Sequence, residues 1–288
     1  EEFYMKKRIL TAVIAIAGIF PFFWFSEPVG LTNPLNYLFP LLFSLISLVS
    51  VWELLNCLKL TGNLFVSLPL YVAAFAFPML TRVLYQREEL FIRIAILAAL
   101  LIAIWLFGVI VFHFGKENMG KIALAFMTAF YIIGADSAVI FLRDQGKAGR
   151  FLFLIPFVFS WVTDSFAYFC GRLFGKHKLI PQVSPKKTVE GAVGGLVFCA
   201  LTGFIYGLIV GRCFDVTPNY PVLAIGGIFI GVVSQIGDLI MSAIKREEGV
   251  KDFGWMLPGH GGLLDRFDSS MAVTLLVLLL NFCFPLFS

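Results

Sequence analysis

The sequence predicts an all-α, polytopic integral membrane protein of about nine spans, with its N-terminus in the cytoplasm. Three observations carry that expectation. Hydrophobic residues make up 59% of the 288 and charged residues 14%, against about 25% charged in soluble domains, so the polar surface is too small to cover a globule in water. Apolar runs of about 20 residues recur along the chain, the length that crosses ~30 Å of hydrocarbon as a helix. The residue-by-residue alternation of a membrane β-barrel is absent.

Taken in order, the four residues before Met5 (EEFY) read as an extraneous leader. The MKKR that follows has the charge of a signal peptide. The run continues through Pro21 without a small-residue cleavage site, however, so a retained first span is expected near 9–26. Further spans fall near 35–54, 64–81, 94–113, 121–142, 151–171, 190–210, 222–244 and 270–287. Pro69 and Pro78 make the 64–81 run the weakest helix. Five spans over 5–150 read as a scaffold, and four over 151–288, with two polar loops between them, as a catalytic region. Placing the N-terminus inside puts 15 of the 22 Lys and Arg on the cytoplasmic side, as the positive-inside rule favours. The expected location is therefore the cell (inner) membrane, with the active site on its cytoplasmic side. The five cysteines (Cys57, Cys170, Cys199, Cys213, Cys283) have no paired or zinc-type spacing and read as small core residues. A net charge of +4 is modest, and nothing points to a nucleic-acid partner.

Both polar loops fall on the inner side. "GRLFGKHKLIPQVSPKKTVEG" follows one apolar span, and "KREEGVKDFGWMLPGHGGLLDRFDSS" separates the last two. Carboxylates at membrane depth are costly and mark a cavity or a partner. Asp164 and Asp238 each lie about two turns before the inner end of their spans, roughly 10 Å deep, and Asp265 and Asp268 open the last span from the same side. Ser234, Asp238 and Ser242 share one helical face, which Gly227 and Gly231 continue, and Asp164, Tyr168 and Gly171 form a similar stripe. The serines and glycines are equally suited to close helix packing. Aspartates among cations suit Mg²⁺ with phosphate oxygens, because Mg²⁺ takes one or two carboxylates and completes its shell with water and phosphate. Lys186, Lys187, Lys245, Arg246, Lys251 and Arg266 are the candidate phosphate clamps, and Gly261 and Gly262 beside His260 would let backbone approach a polyphosphate. The three histidines have no zinc spacing. "GRLFGKH" lacks the four-residue gap and the Ser/Thr of a P-loop, and reads as a helix end with a turn. Asp136, nearer the outer side, reads as a buried hydrogen-bond partner, and Glu53 could either snorkel or reach the site.

Residues 242–268, "SAIKREEGVKDFGWMLPGHGGLLDRFD", resemble along their whole length the signature of the CDP-diacylglycerol synthases (phosphatidate cytidylyltransferases). Its elements S-x-x-K-R, K-D, P-x-H-G-G and D-R-x-D are all present. Residues 164–191 are similar to the family's second block, with D-x-x-A-Y, S-P-x-K-T and E-G. The resemblance implies transfer of CMP from CTP to phosphatidic acid within the bilayer, with Mg²⁺ or a two-metal pair that includes a second cation. Within that reaction Asp238 and Asp265 are the expected metal ligands, joined by Asp164 and Asp268 as further ligands or supports. Lys245, Arg246, His260 and Arg266 then act at the reacting phosphates, while Ser184, Lys187, Thr188, Glu190, Lys251, Gly261 and Gly262 bind substrate. A homodimer is compatible with the sequence. The rivals are a CTP-dependent polyprenol kinase, a cytidylyltransferase for another lipid phosphate, and a transporter. The odd span number and the absence of an internal repeat weigh against transport.

Overall fold

The computed structural model describes residues 34–115, 118–256 and 261–287. The expected span at 9–26 and the candidate His260 lie outside them. Among the described residues eight helical segments are long and apolar enough to cross a membrane. A 3₁₀ turn, Pro34–Tyr37, leads into α1 (Leu38–Cys57), followed by α2 (Leu64–Val83), α3 (Glu88–Phe112) and α4 (Met119–Arg143). A short α5 (Gly146–Leu152) runs into α6 (Ile155–Phe174), and the two form one span. A two-stranded antiparallel hairpin, β1 (Lys178–Ile180) and β2 (Ser184–Thr188), precedes α7 (Val189–Cys213), α8 (Tyr220–Glu247) and α9 (Leu264–Cys283). Four helices start where a side chain takes up an N-terminal N–H that no helical carbonyl can reach. Asn63, Asn118, Thr188 and Asn219 do this for α2, α4, α7 and α8.

The described residues pack as two compact units, one within Glu1–Asp144 and Val250–Arg266, the other within Gln145–Gly249 and Phe267–Ser288. In the first, α1, α2 and α4 form the core, and α3 lies at the edge with 11% of its apolar window buried. Helix α2 is continuous through both prolines. Pro69 has no N–H to give to the carbonyl four residues back, and that Phe65 carbonyl instead receives the Trp105 indole N–H from α3 at 2.8 Å. At the other end, Arg82 and Arg143, in the last turns of α2 and α4, meet Asp144 inside the protein. Asp136 is buried as expected, 3% exposed and within reach of Ser47.

The second unit is built on glycine. α7 lies between α6 and α8, and its near side to each is a row of residues without side chains. A Cβ at Gly191 or Gly195 would press on the α6 backbone carbonyls of Ala167 or Thr163. One at Gly203 would overlap the Leu223 carbonyl of α8, while Gly227 of α8 approaches the backbone at Cys199 and Ala200. Such small-residue faces let backbones come close where no hydrophobic force separates lipid from protein. The expected Gly227 and Gly231 stripe is thus packing surface. Gly203→Ala is expected to cost about 1–3 kcal/mol as overpacking against backbone that cannot rotate away, read as a lower melting temperature in detergent. Unchanged melting would refute the close approach.

Several expectations need correction. α9 begins at Leu264, not 270, so Asp265 and Asp268 are helical residues. Tyr168 is 59% exposed and does not share the inward face of Asp164. Cys213 and Cys283 are exposed, and only Cys57 and Cys199 are core residues, with Cys170 half-buried. The β-hairpin was not expected, since its three- and five-residue strands sit among polar residues with no apolar alternation.

Candidate active site

In the second unit, α6, β2, α8 and α9 bring ionisable side chains together. Lys187 of β2 places its ammonium 2.5 Å from the Asp238 carboxylate of α8. Both groups are about three-quarters covered, with side-chain exposures of 22% and 26%, so the contact is partly shielded from water. Ser242, one turn on, donates to the other Asp238 oxygen at 3.4 Å, which realises the expected Asp238/Ser242 face. Ser234 lies on that face too, fully buried, with no hydrogen-bond partner among the described residues.

Asp164 and Asp268 complete the cluster. Ser269 donates to Asp164 at 2.9 Å and its backbone N–H to Asp268, also at 2.9 Å. The charges of Asp238, Asp164 and Lys245 all act on Asp268, and Lys187 and Asp238 act on Asp164. Ser269 is the sixth residue of α9, yet it meets Asp164, ten residues before α6 ends. Ten residues are about 15 Å of helix, so α9 starts short of the level at which α6 finishes. Gly237 permits the approach: a Cβ there would press on Asp268 O and Ala272.

The first unit holds the signature loop. Phe253 and Gly262 both donate backbone N–H to one oxygen of Asp265, at 2.8 and 3.0 Å. Leu263 and Leu264 donate theirs to the two oxygens of Glu53, at 2.9 and 2.8 Å. Gly261, at φ +82°, makes the turn that a side chain would strain. Lys251 and Arg266 are exposed.

Three of the expected substrate residues have visible structural duties. Thr188 caps α7 by accepting from Gly191 N at 3.1 Å. Glu190 accepts the backbone N–H groups of Lys176 and His177, at 3.0 and 3.2 Å, and pairs with the His177 ring at 2.6 Å, pinning the turn after α6. Gly262 leaves room for Glu53. Ser184 opens β2 opposite Ile180, and Arg246 donates to the Val183 carbonyl at 3.4 Å, tying α8 to the hairpin. Glu53, which the sequence left open, reaches the signature loop from outside both signature blocks. A single buried acid in an otherwise uncharged apolar span was its signal.

A divalent cation fits the donor chemistry of the second unit. No three His, Cys, Asp or Glu among the described residues lie close enough to form a ready ligand set. Mg²⁺ does not require one, since substrate phosphate oxygens complete its shell. Three mutually repelling carboxylates are here balanced by ammonium groups, and a cation would compete with Lys187 for Asp238.

Fold and site together describe a polytopic membrane protein with a largely covered cluster of carboxylates and lysines among its helices. The profile of the Cytidylyltransferase family matches residues 6–284. A phosphatidate cytidylyltransferase of Bacillus subtilis is 36% identical over 275 residues, covering 93% of this chain and 94% of the relative. One from Staphylococcus saprophyticus is 36% identical over 271 residues, covering 93% and 96%, and one from Staphylococcus epidermidis is 33% identical with the same coverage. The chain belongs to the cytidylyltransferase family.

Proposed function

We propose that this protein transfers CMP from CTP to phosphatidic acid, giving CDP-diacylglycerol and pyrophosphate. The observation that carries the reading is the Lys187–Asp238 pair, set with Asp164, Asp268 and Lys245 inside a helical unit of a cytidylyltransferase-family chain. A phosphatidate oxygen attacks the α-phosphorus of CTP, a new P–O bond forms, and the bond to the bridging oxygen breaks as pyrophosphate leaves. The attacking oxygen is already an anion, so no strong base is needed. The barrier lies in bringing two polyanions together and stabilising charge on the leaving group. Lys187, Lys245, Arg246 and Arg266 neutralise and orient phosphates. Lys245 and Arg246 stand in the last turn of α8, which ties them to the same helix as Asp238. His260 and Lys251 join them on the strength of the signature.

A bound Mg²⁺ would supply charge neutralisation and alignment of the phosphates. Asp238, with Asp164 and Asp268, would hold it, and the signature adds Asp265. With Asp238 turned to a cation, the Lys187 ammonium would be available to a phosphate. The distribution of Lys and Arg supports an active site facing the cytoplasm from the cell membrane.

The test supplies purified protein in mild detergent with phosphatidic acid, CTP and Mg²⁺. CDP-lipid and pyrophosphate in equal amounts, lost on chelation of the metal, are expected. Release of CDP with a phosphorylated lipid would replace the reading with a CTP-dependent kinase, and folded protein that makes no CDP-lipid would end it.

A further inference from the structure

Resting on that reading, we propose that Glu53 is a positioning residue of the enzyme, holding the start of α9, and with it Asp265, through two backbone amides. Glu53 stands one turn before the end of α1 and is fully buried. It is 210 residues from Leu263 in sequence, yet it takes the N–H of Leu263 at 2.9 Å and of Leu264 at 2.8 Å, one on each oxygen. These donors belong to the opening of a helix, where no preceding carbonyl is available, and a carboxylate there also meets the positive end of the helix dipole. Glu53 therefore does in trans what an N-cap side chain does locally.

The loop is shaped around that carboxylate. For both Gly254 and Gly262, the three atoms nearest an added Cβ all belong to Glu53. Asp265 repeats the device one step along, accepting from Phe253 and Gly262. Two acids thus collect four N–H groups from residues 253–264, and the position of Asp265 is set by a loop that Glu53 anchors. Both Glu53 oxygens are committed to the amides of the loop. Glu53 touches the reaction only through what it holds.

Glu53→Gln places an NH₂ where an N–H arrives and keeps the shape. Its kcat for CDP-lipid formation is expected to fall about tenfold or more, equivalent to ~1.4 kcal/mol. The loss should fall more on kcat than on the KM for CTP, because Lys187 and the β-hairpin lie outside the loop that Glu53 holds, and the Mg²⁺ concentration for half-maximal rate should rise. Amide hydrogen exchange at 263 and 264 should accelerate while α2 and α4 keep wild-type protection. Glu53→Asp, which keeps the charge, should recover part of the rate. Should Glu53→Gln fail to fold, Gly254→Ala displaces the same carboxylate from the loop side and should by itself accelerate exchange at 263 and 264 and lower kcat; where Glu53→Ala folds, adding Gly254→Ala to it should be nearly harmless. A wild-type kcat and Mg²⁺ requirement in Glu53→Gln, or unchanged exchange at 263 and 264, overturns the proposal. So does a Gly254→Ala effect that persists in the Glu53→Ala background. If the wild-type protein itself makes no CDP-lipid, the functional reading has failed. The exchange arm, which needs no substrate, then decides by itself whether Glu53 holds the loop.

Discussion

Asp238→Asn should lower CDP-lipid formation by about 10²–10³-fold, the scale on which removing one preorganised electrostatic partner acts. The substitution is nearly isosteric, so α8 should stay intact and its glycine contacts with α7 undisturbed. What changes is charge. Asp238 faces Lys187 at 2.5 Å, accepts from Ser242, and acts electrostatically on both Asp164 and Asp268. Neutralising it leaves Lys187 without that counter-charge and, on the proposed function, would remove a ligand from the cation. The loss should therefore appear in kcat, with a steeper demand for Mg²⁺, and Lys187→Met should cost activity without the added metal demand. The measurement is pyrophosphate release against Mg²⁺ concentration for wild type and both variants, with melting curves to confirm folding. Full activity in Asp238→Asn would remove this residue from the site and leave the reaction itself untouched.

The second large effect concerns stability, at Asp144. Its side chain is fully buried and bonded to Arg82 at 2.9 Å, with Arg143 at 3.6 Å. Arg143 also lies over the Phe39 ring, 4.4 Å from its centre. Burial pushes the Asp144 carboxyl up from its ordinary value, against the opposing charge and hydrogen bond of Arg82. Desolvation thus outweighs pairing, and the pair by itself is poor evidence of net stabilisation. Breaking it is another matter. Asp144→Ala leaves two guanidiniums facing the space where the carboxylate stood, at a cost of about 3–5 kcal/mol. Replacing both members of the closer pair, Arg82→Met with Asp144→Leu, should recover part of that loss, because Arg82 no longer needs a counter-ion while Arg143 still loses the Asp144 carboxylate. Thermal unfolding in detergent separates the cases. Wild-type melting in Asp144→Ala would show that the contact carries nothing, and a double variant no better than the single would place the cost in packing.

The two arginines also show where reading charge along the chain stops. Counted by loop, Arg82 and Arg143 belong to the outer side. In the fold both are buried partners of one aspartate, and a residue count cannot tell a solvated loop charge from one folded back into the bundle. Asp265 and Asp268 are a similar case. Their motif was legible, but the apolar window that finds spans passes over "LDRFDSS", so the helix was expected to start six residues later than it does. Glu53 was visible as an anomaly and no more, because its partners are backbone amides 210 residues away and backbone has no sequence signature.

Composition and periodicity were enough for the class and the existence of each described span, and motif spacing for the two polar blocks. These are local properties: hydrocarbon thickness sets the length of an apolar run, and phosphate chemistry selects aspartate, lysine and glycine at tight spacing. Only the tertiary structure decided which side chains meet. It paired Lys187 with Asp238, gave Glu190 and Thr188 to local capping, turned Tyr168 outward, and assigned residues 250–266 to the unit that contains Glu53. The reason is physical. Facing and depth depend on how closely helices approach, and here glycines and backbone hydrogen bonds set that approach, through contacts that the order of residues along one helix does not specify.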